Sequence, residues 1–184
     1  MYGIDVLETE HKNIVAFTDD MEALALSIME GGKVDTGDLR RRVDFIRKYC
    51  DKHHHQKEED LLFAKMVEEL GDLGVKLIRH GMEVEHGLAR KHVLDLEGAI
   101  GDFDEDPSPL NRLQIISYLM AYVHLLRDHA KKENQVIYPF ALDHLSKEAL
   151  AWVDEKTRQV EEGEGTKKVY QDFKEFICYQ PPKL

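Results

Sequence analysis

Residues 39–63, LRRRVDFIRKYCDKHHHQKEEDLLF, contain the pattern that decides the fold class. Apolar side chains recur there at intervals of three and four, which is the period of one face of an α-helix. His54 and Glu58 interrupt this apolar face one helical turn apart. The stretch therefore predicts a helix whose inner face carries two polar side chains among Leu39, Val43, Ile46, Cys50, Leu61 and Leu62.

The same period continues through the rest of the chain, and runs that alternate apolar and polar residues are missing, so we predict an all-α protein. Glycines, N-cap residues and a proline at a first helical position mark the helix ends. Four long helices joined by short connections predict an antiparallel up-down-up-down four-helix bundle. The expected bounds are Asp5 to Gly31, Asp35 to Gly71, Gly74 to Ile100, and Ser108 to Pro139 or slightly beyond.

A shorter region follows the predicted bundle. It consists of a helix from Ser146 to Glu162, a turn over residues 161–165, and an aromatic segment from Tyr170 to Tyr179. No Pro-rich or Ser-rich linker sets this region apart as an independent domain. We expect residues 1–145 to form the bundle and residues 146–184 to pack on it as a C-terminal helix and tail.

The overall composition excludes several function classes. The chain has 184 residues and a formal net charge of −11, which suits one domain and argues against nucleic acid or an anionic membrane surface as a partner. No apolar run approaches the roughly 20 residues of a membrane helix. The two cysteines, Cys50 and Cys178, are too few for a disulfide framework. We therefore expect a cytoplasmic protein with no nucleic-acid or membrane partner.

Each of the four predicted helices carries one histidine on its apolar face, and two of them add a glutamate four residues later. A single inward histidine is usually a hydrogen-bonded core residue. Six unsatisfied polar groups would cost at least about 1–3 kcal/mol each, against a total stability of about 5–15 kcal/mol. A pair of transition-metal ions would satisfy the imidazoles and carboxylates together. The candidate ligands are His11, His54, Glu58, His86, His129 and Glu133.

The register of the second helix leaves one alternative, because His55 and Glu59 have the same spacing as His54 and Glu58. The phase set by Cys50, which we expect to be a buried apolar residue without chemistry, favours His54 and Glu58. The other histidines are expected at the surface or behind the ligands. These are His53, His55, His80, His92, His124 and His144.

Four segments of the chain together resemble the hemerythrin-like, or HHE cation-binding, four-helix bundle. The resemblance runs from Asp5 to Phe140 and implies two iron ions, Fe²⁺ or Fe³⁺, joined by an oxo or hydroxo bridge. It also implies that the four inward histidines bind iron and that Glu58 and Glu133 bridge the two ions. The segments are Glu10-His11, residues 54–63 (HHQKEEDLLF), residues 85–90 (EHGLAR), and residues 129–134 (HAKKEN) followed by Tyr138-Pro139.

The chain departs from this family at one position. Oxygen-carrying hemerythrins have a second ligand histidine four residues after the one on the third helix, and Arg90 stands there. Arginine does not bind metal ions. One iron is therefore expected to take water or hydroxide, or a substitute ligand from the same helix, with Glu83, His80 and His92 as candidates. Arg90 could equally pair with a ligand carboxylate or an external anion.

Residues and resemblance together favour a non-haem di-iron protein that binds or senses O2, NO, or the redox or iron state. The alternative is a di-iron enzyme that removes peroxide or NO, or donates iron for repair, with only Glu59 and Tyr122 as candidate proton carriers. A ferritin-like carboxylate centre, for which Glu83 and His86 would supply a Glu-x-x-His motif, is a weaker alternative. A metal-free structural bundle is the simplest alternative. A sensor of this kind would signal through a protein partner or through its own stability.

Overall fold

The computed structural model describes residues 1–182, and every regular element in that range is helical. The last two positions of the predicted tail lie outside the described residues. The α-helices are α1 (Tyr2–Met29), α2 (Thr36–Phe45), α3 (Ala64–Leu77), α4 (Glu83–Glu105), α5 (Pro109–Lys132), α6 (Tyr138–His144), α7 (Lys147–Glu161) and α8 (Glu164–Asp172). Within the described range, every helix is too short or too polar to cross a lipid bilayer.

Capping side chains place several helix starts where the sequence predicts them. Asp35 accepts a hydrogen bond from the backbone N–H of Asp38 at the start of α2. Ser108 and Ser146 accept the equivalent bonds at the starts of α5 and α7. Each cap satisfies a backbone donor that has no partner inside its helix.

Glycines form the turns after the first two long helices. Gly31 has φ 95° and Gly71 has φ 54°, both in the left-handed region that glycine tolerates. A Cβ atom at Gly74 would lie 2.2 Å from the carbonyl oxygen of Met66, so the chain folds back tightly on itself there. The turn between the second and third predicted helices therefore lies inside α3.

Two predicted boundaries were wrong. The third long helix continues through Gly101 to Glu105 instead of ending at Ile100, because a single glycine costs a helix only about 1 kcal/mol. The aromatic segment is also not a simple tail, since Tyr170 belongs to α8.

Four π-helical segments interrupt the α-helices: Ile46–His55, Glu58–Phe63, Ile78–Met82 and Glu133–Ile137. A π turn holds about one residue more than an α turn, so a pattern of period 3.6 loses its phase there. Continued through His129 and Glu133, the period of three and four predicts Val136 and Phe140 on the inner face of the fourth helix. Val136 is instead 53% exposed, and Ile137 and Ala141 are buried.

Polar residues separate two apolar clusters in the interior. Along α1, Leu7 belongs to one cluster and Ile14 to the other, and His11 lies between them. The other three long helical segments show the same arrangement around their inward histidines. Helix α5 packs against α1 and α4, and α2 packs against α4. The four segments therefore bring their histidines to one level of the structure.

The C-terminal region packs against the first two helices. Phe173 and Ile177 are buried in the apolar cluster that contains Phe45. The side-chain oxygen of Asn13 accepts a hydrogen bond from the backbone N–H of Cys178. These contacts cover one side of the α1 and α2 pair.

Candidate metal centre

All six predicted ligands are buried, and the structure brings them together in two overlapping groups. Within each group, the candidate ligand atoms lie within 4.8 Å of one another. Glu58 and Glu133 belong to both groups. One group adds His11 and His54, and the other adds His86 and His129. We call these six residues the His/Glu cluster.

The four imidazoles of the cluster are oriented in the same way. Each Nδ1–H donates to an oxygen outside the cluster, which leaves Nε2 facing the interior. A fixed Nδ1 bond is the usual support of a metal-binding histidine, because it sets the tautomer and the ring orientation. The four pairs are His11 with Asn134 (2.7 Å), His54 with Glu10 (2.9 Å), His86 with Glu59 (2.7 Å) and His129 with Glu85 (3.0 Å).

The inward Nε2 atoms converge on the two glutamates. Oε2 of Glu133 lies 3.1 Å from Nε2 of His11 and 3.2 Å from Nε2 of His129. Nε2 of His86 lies only 3.1 Å from Nε2 of His129. Two ring nitrogens at this distance repel each other unless a proton or a cation lies between them. The cluster is therefore arranged to enclose positive charge.

Several cluster atoms are buried without a hydrogen-bond partner among residues 1–182. They are Nε2 of His54, Oε2 of Glu58 and both carboxylate oxygens of Glu133. Each unpaired buried acceptor costs about 1–3 kcal/mol, and more when it is charged. Imidazole nitrogens with bridging carboxylates suit first-row transition metals such as iron. The residues present thus fit a pair of such ions.

Buried charges shift the pKa values inside the cluster in opposite directions. Burial and the neighbouring Glu133 raise the pKa of Glu58 to about 8. Burial would also raise the pKa of Glu133, but the nearby His129 and His11 hold it well below its usual value.

Burial lowers the pKa of His54 to about 3. Burial would lower the pKa of His86 too, but the hydrogen bond with Glu59 and the negative charges of Glu58 and Glu133 raise it to about 10. Glu58 and His86 therefore hold protons at neutral pH.

Tyr138 is a neighbour of the cluster that the sequence analysis quoted but gave no role. Its hydroxyl donates a hydrogen bond to Oε1 of Glu58. Its ring is stacked on the ring of His11, with the centroids 5.5 Å apart. Tyr138 thus fixes one oxygen of Glu58 and leaves the other oxygen facing the cluster.

The expectation that the remaining histidines lie at the surface or behind the ligands was wrong at His55, whose ligand atom lies within 4.8 Å of those of His86 and His129. His80, His124 and His144 are exposed, as predicted. His53 and His55 are buried, at 8% and 2% exposure. The segment Ile46–His55 is π-helical, and its wider turns place His54 and His55 on the inner side together.

Arg90 lies outside the cluster. Its guanidinium donates to Asp51 at 2.8 Å and to Glu59 at 2.9 Å, and neither carboxylate belongs to the cluster. Glu59 in turn accepts the Nδ1–H bond of His86. Arg90 therefore supports His86 through Glu59 instead of touching the cluster.

A second buried group lies beside the cluster, formed by Glu10, His53, Lys57 and Glu161. We call it the Lys57 network. Glu10, His53 and Glu161 also have ligand atoms within 4.8 Å of one another. The ammonium group of Lys57 donates to both Glu10 and Glu161, so this network contains its own cation. Burial would raise the pKa of Glu10, but Lys57 and His53 hold it well below its usual value.

A cleft of about 550 Å³ opens beside the cluster. Asp51, His55, Glu59, Arg90 and Tyr122 are among the residues that line it. His55 belongs both to the wall of this cleft and to a buried group with His86 and His129. The cleft therefore leads from the protein surface to the edge of the cluster.

Comparison with known proteins gives one match. The family model of the hemerythrin HHE cation-binding domain matches residues 2–141, which include all six residues of the His/Glu cluster. No curated protein and no solved structure matches the chain.

Proposed function

The chain belongs to the hemerythrin HHE cation-binding family, and on this basis we propose that the His/Glu cluster binds two iron ions. One ion would be held by His11 and His54, the other by His86 and His129, with Glu58 and Glu133 shared between them. The observation that supports this most strongly is the common orientation of the four imidazoles towards carboxylate oxygens that have no hydrogen-bond donor. Iron fits this mixture of imidazole and carboxylate ligands.

We further propose that the four long helical segments form an antiparallel up-down-up-down bundle. Supporting this, α1 and the α4 segment both run from the apolar cluster around Leu7 to the one around Ile14, whereas the α2 and α5 segments run the opposite way. Residues 1–145 would then form the iron-binding unit. Residues 146–184 would pack on it, which the burial of Phe173 and Ile177 supports.

Bound iron would supply affinity for O2 or NO and a change of oxidation state. The protein side chains perform three other tasks. Glu59 and Glu85 fix the rings of His86 and His129 through their Nδ1–H bonds. Tyr138 keeps the proton on its hydroxyl and donates a hydrogen bond to Glu58. The two apolar clusters exclude water from above and below the polar residues.

We favour a protein that binds or senses O2, NO, or redox or iron state over an enzyme. The cleft beside His55 is large enough for a diatomic molecule or peroxide to approach. Tyr122, one of two candidate proton carriers, forms no hydrogen bond to the cluster, and its hydroxyl has no partner among residues 1–182. The other, Glu59, is held by Arg90 and His86. Both residues line the cleft, but Tyr122 has no hydrogen-bonded path to the cluster and Glu59 is already paired with Arg90, which disfavours turnover.

The deciding experiment is iron analysis of the reconstituted protein, together with its visible absorption spectrum before reduction, after reduction, and after exposure to air or NO. We expect two irons per chain and an absorption spectrum that responds reversibly to these changes. A chain that holds no iron after anaerobic reconstitution would overturn the proposal. Rapid steady-state consumption of peroxide or NO by the loaded protein would favour the enzyme instead, and a sensor should bind a protein partner in one state only.

A further inference from the structure

His55 has surroundings that ordinary packing does not explain. The side chain is 2% exposed, and neither of its ring nitrogens has a hydrogen-bond partner among residues 1–182. Its ring is stacked on the ring of His86, with the centroids 4.0 Å apart, and lies edge-on to His129 at 5.5 Å. A buried imidazole with two unpaired nitrogens is destabilising, whereas a leucine or phenylalanine would fill the same space without that cost.

The ligand atoms of His55, His86 and His129 lie within 4.8 Å of one another. Two of the three rings already have their Nδ1 atoms fixed by carboxylates. In the third ring, Nδ1 of His55 faces Oδ1 of Asp51 at 3.6 Å, which is too long for a hydrogen bond. This leaves Nε2 of His55 as the nitrogen available to the group.

Arg90 connects the supports of two of these histidines. It donates to Asp51, which faces Nδ1 of His55, and to Glu59, which accepts from Nδ1 of His86. Both carboxylates are thereby held behind their rings. Arg90, which stands at the position of the missing family ligand, thus supports His86 through Glu59 and holds Asp51 beside His55.

We propose that His55 is a metal ligand, the third histidine of the ion bound by His86 and His129. This rests on the proposed function and adds a ligand from the second helical segment. It also corrects the expectation that a substitute for the histidine missing at Arg90 would come from the third helix. His80 is exposed there, Glu83 pairs with Arg79, and His92 lies outside the groups of clustered ligand atoms.

The two metal positions are then unequal. His55, His86 and His129 supply three imidazoles to one ion, whereas His11 and His54 supply two to the other. Loss of His55 should therefore weaken one binding step and spare the other. A side chain that only fills space should instead affect folding and leave both binding steps alone.

The test is anaerobic titration with Co²⁺, followed by its visible absorption, on the wild type and on His55→Leu, with the exposed His124→Leu as the matched control. We expect two Co²⁺ per chain in the wild type and the control. In His55→Leu, one step should be retained and the other weakened at least about tenfold. The metal-free His55→Leu protein should unfold at the same temperature as the wild type or higher, because an unpaired buried imidazole has been removed.

Two identical, tight binding steps in a folded His55→Leu protein would overturn the role of His55 while leaving the di-metal site intact. A wild type that binds no Co²⁺ would overturn the di-metal site and the role of His55 together. His55→Asn provides a second variant if the leucine variant does not fold, and it should lose the same binding step.

Discussion

The His/Glu cluster and the Lys57 network are two buried polar groups of similar composition and different chemistry. Both bring carboxylates and imidazoles within 4.8 Å of one another. The Lys57 network contains an ammonium group that donates to Glu10 and Glu161. The His/Glu cluster contains no lysine or arginine, and both oxygens of Glu133 lack a hydrogen-bond donor among residues 1–182. A buried acidic group therefore indicates a metal site only where no lysine or arginine side chain supplies a permanent positive charge.

The two groups meet at Glu10. One of its oxygens accepts from Lys57, and the other accepts the Nδ1–H bond of His54. The Lys57 network, which contains its own cation, thereby orients His54 in the His/Glu cluster, which contains no lysine or arginine. This difference can be tested by removing charge from each group in turn.

The largest effect is expected from Glu133→Gln in the His/Glu cluster. Glu133 belongs to both ligand groups, so the amide should remove a shared negative ligand from both ions. We expect the variant to retain neither iron after loading and desalting, as measured by elemental analysis. The exposed Glu30→Gln should retain two. Two irons in a folded Glu133→Gln protein would contradict the assignment of Glu133 as a bridge.

The next largest effect is expected from Lys57→Met in the neighbouring network. Glu10 and Glu161 would be left buried without a cation, which costs about 3–5 kcal/mol. Urea unfolding of the metal-free protein should show this loss. Lys52→Met, at an exposed position of the same helical segment, should change stability by less than about 0.5 kcal/mol. Equal unfolding midpoints for the two variants would show that Lys57 does not stabilise the network.

A smaller effect is expected from Glu59→Gln, which changes the support of one ligand and leaves all ligands present. The amide weakens the bond that orients His86, so the affinity of one metal ion should fall by about 10-fold to 100-fold. Titration with Co²⁺ measures both binding steps. Asp60→Asn removes the adjacent exposed carboxylate and should leave both steps unchanged. If both variants behave alike, the bond from His86 to Glu59 has no role in binding.

The smallest effect is a dependence of metal affinity on pH. The pKa of Glu58 is raised to about 8 and that of His86 to about 10, so both groups are protonated at pH 7. Metal ions compete with these protons, and affinity should therefore rise as the pH increases from 6 to 9. Calorimetry in buffers of different ionisation enthalpy should detect a net release of protons at pH 7. Binding without proton release would contradict the raised pKa values.

The sequence predicted much of the cluster because the pattern along each single helix is enough to identify the side chains on its inner face. A histidine within an apolar pattern lies on the inner face of its helix. Four such histidines, one on each helix, predicted a polar layer inside the protein. The phase of Cys50 predicted Glu58 on the inner face, where it is fully buried, and Glu59 off that face, where it is partly exposed. The same reasoning treated His54 and His55 as exclusive alternatives, because it assumed 3.6 residues per turn. The turns of Ile46–His55 are π-helical and wider, so His54 and His55 both lie on the inner side.

The residues behind the ligands were not predicted as such. Glu10, Glu85, Asn134 and Tyr138 all lie next to or near predicted ligands in the sequence, yet none carries a local signal for its partner. Each forms a hydrogen bond with an imidazole ring or a carboxylate on a different helical segment. Such pairs depend on how the segments pack, which a periodic pattern along one segment does not specify.

The sequence by itself determined the all-α class, the family, and the six side chains that face the interior, since helical period and spacing fix which residues share a face. The tertiary structure decided which nitrogen of each histidine faces inward, where positive charge is already supplied by Lys57, and that His55 joins His86 and His129. These features depend on distances between segments. Such distances are set by packing and by local changes of helical turn, neither of which is encoded in the period of any single helix.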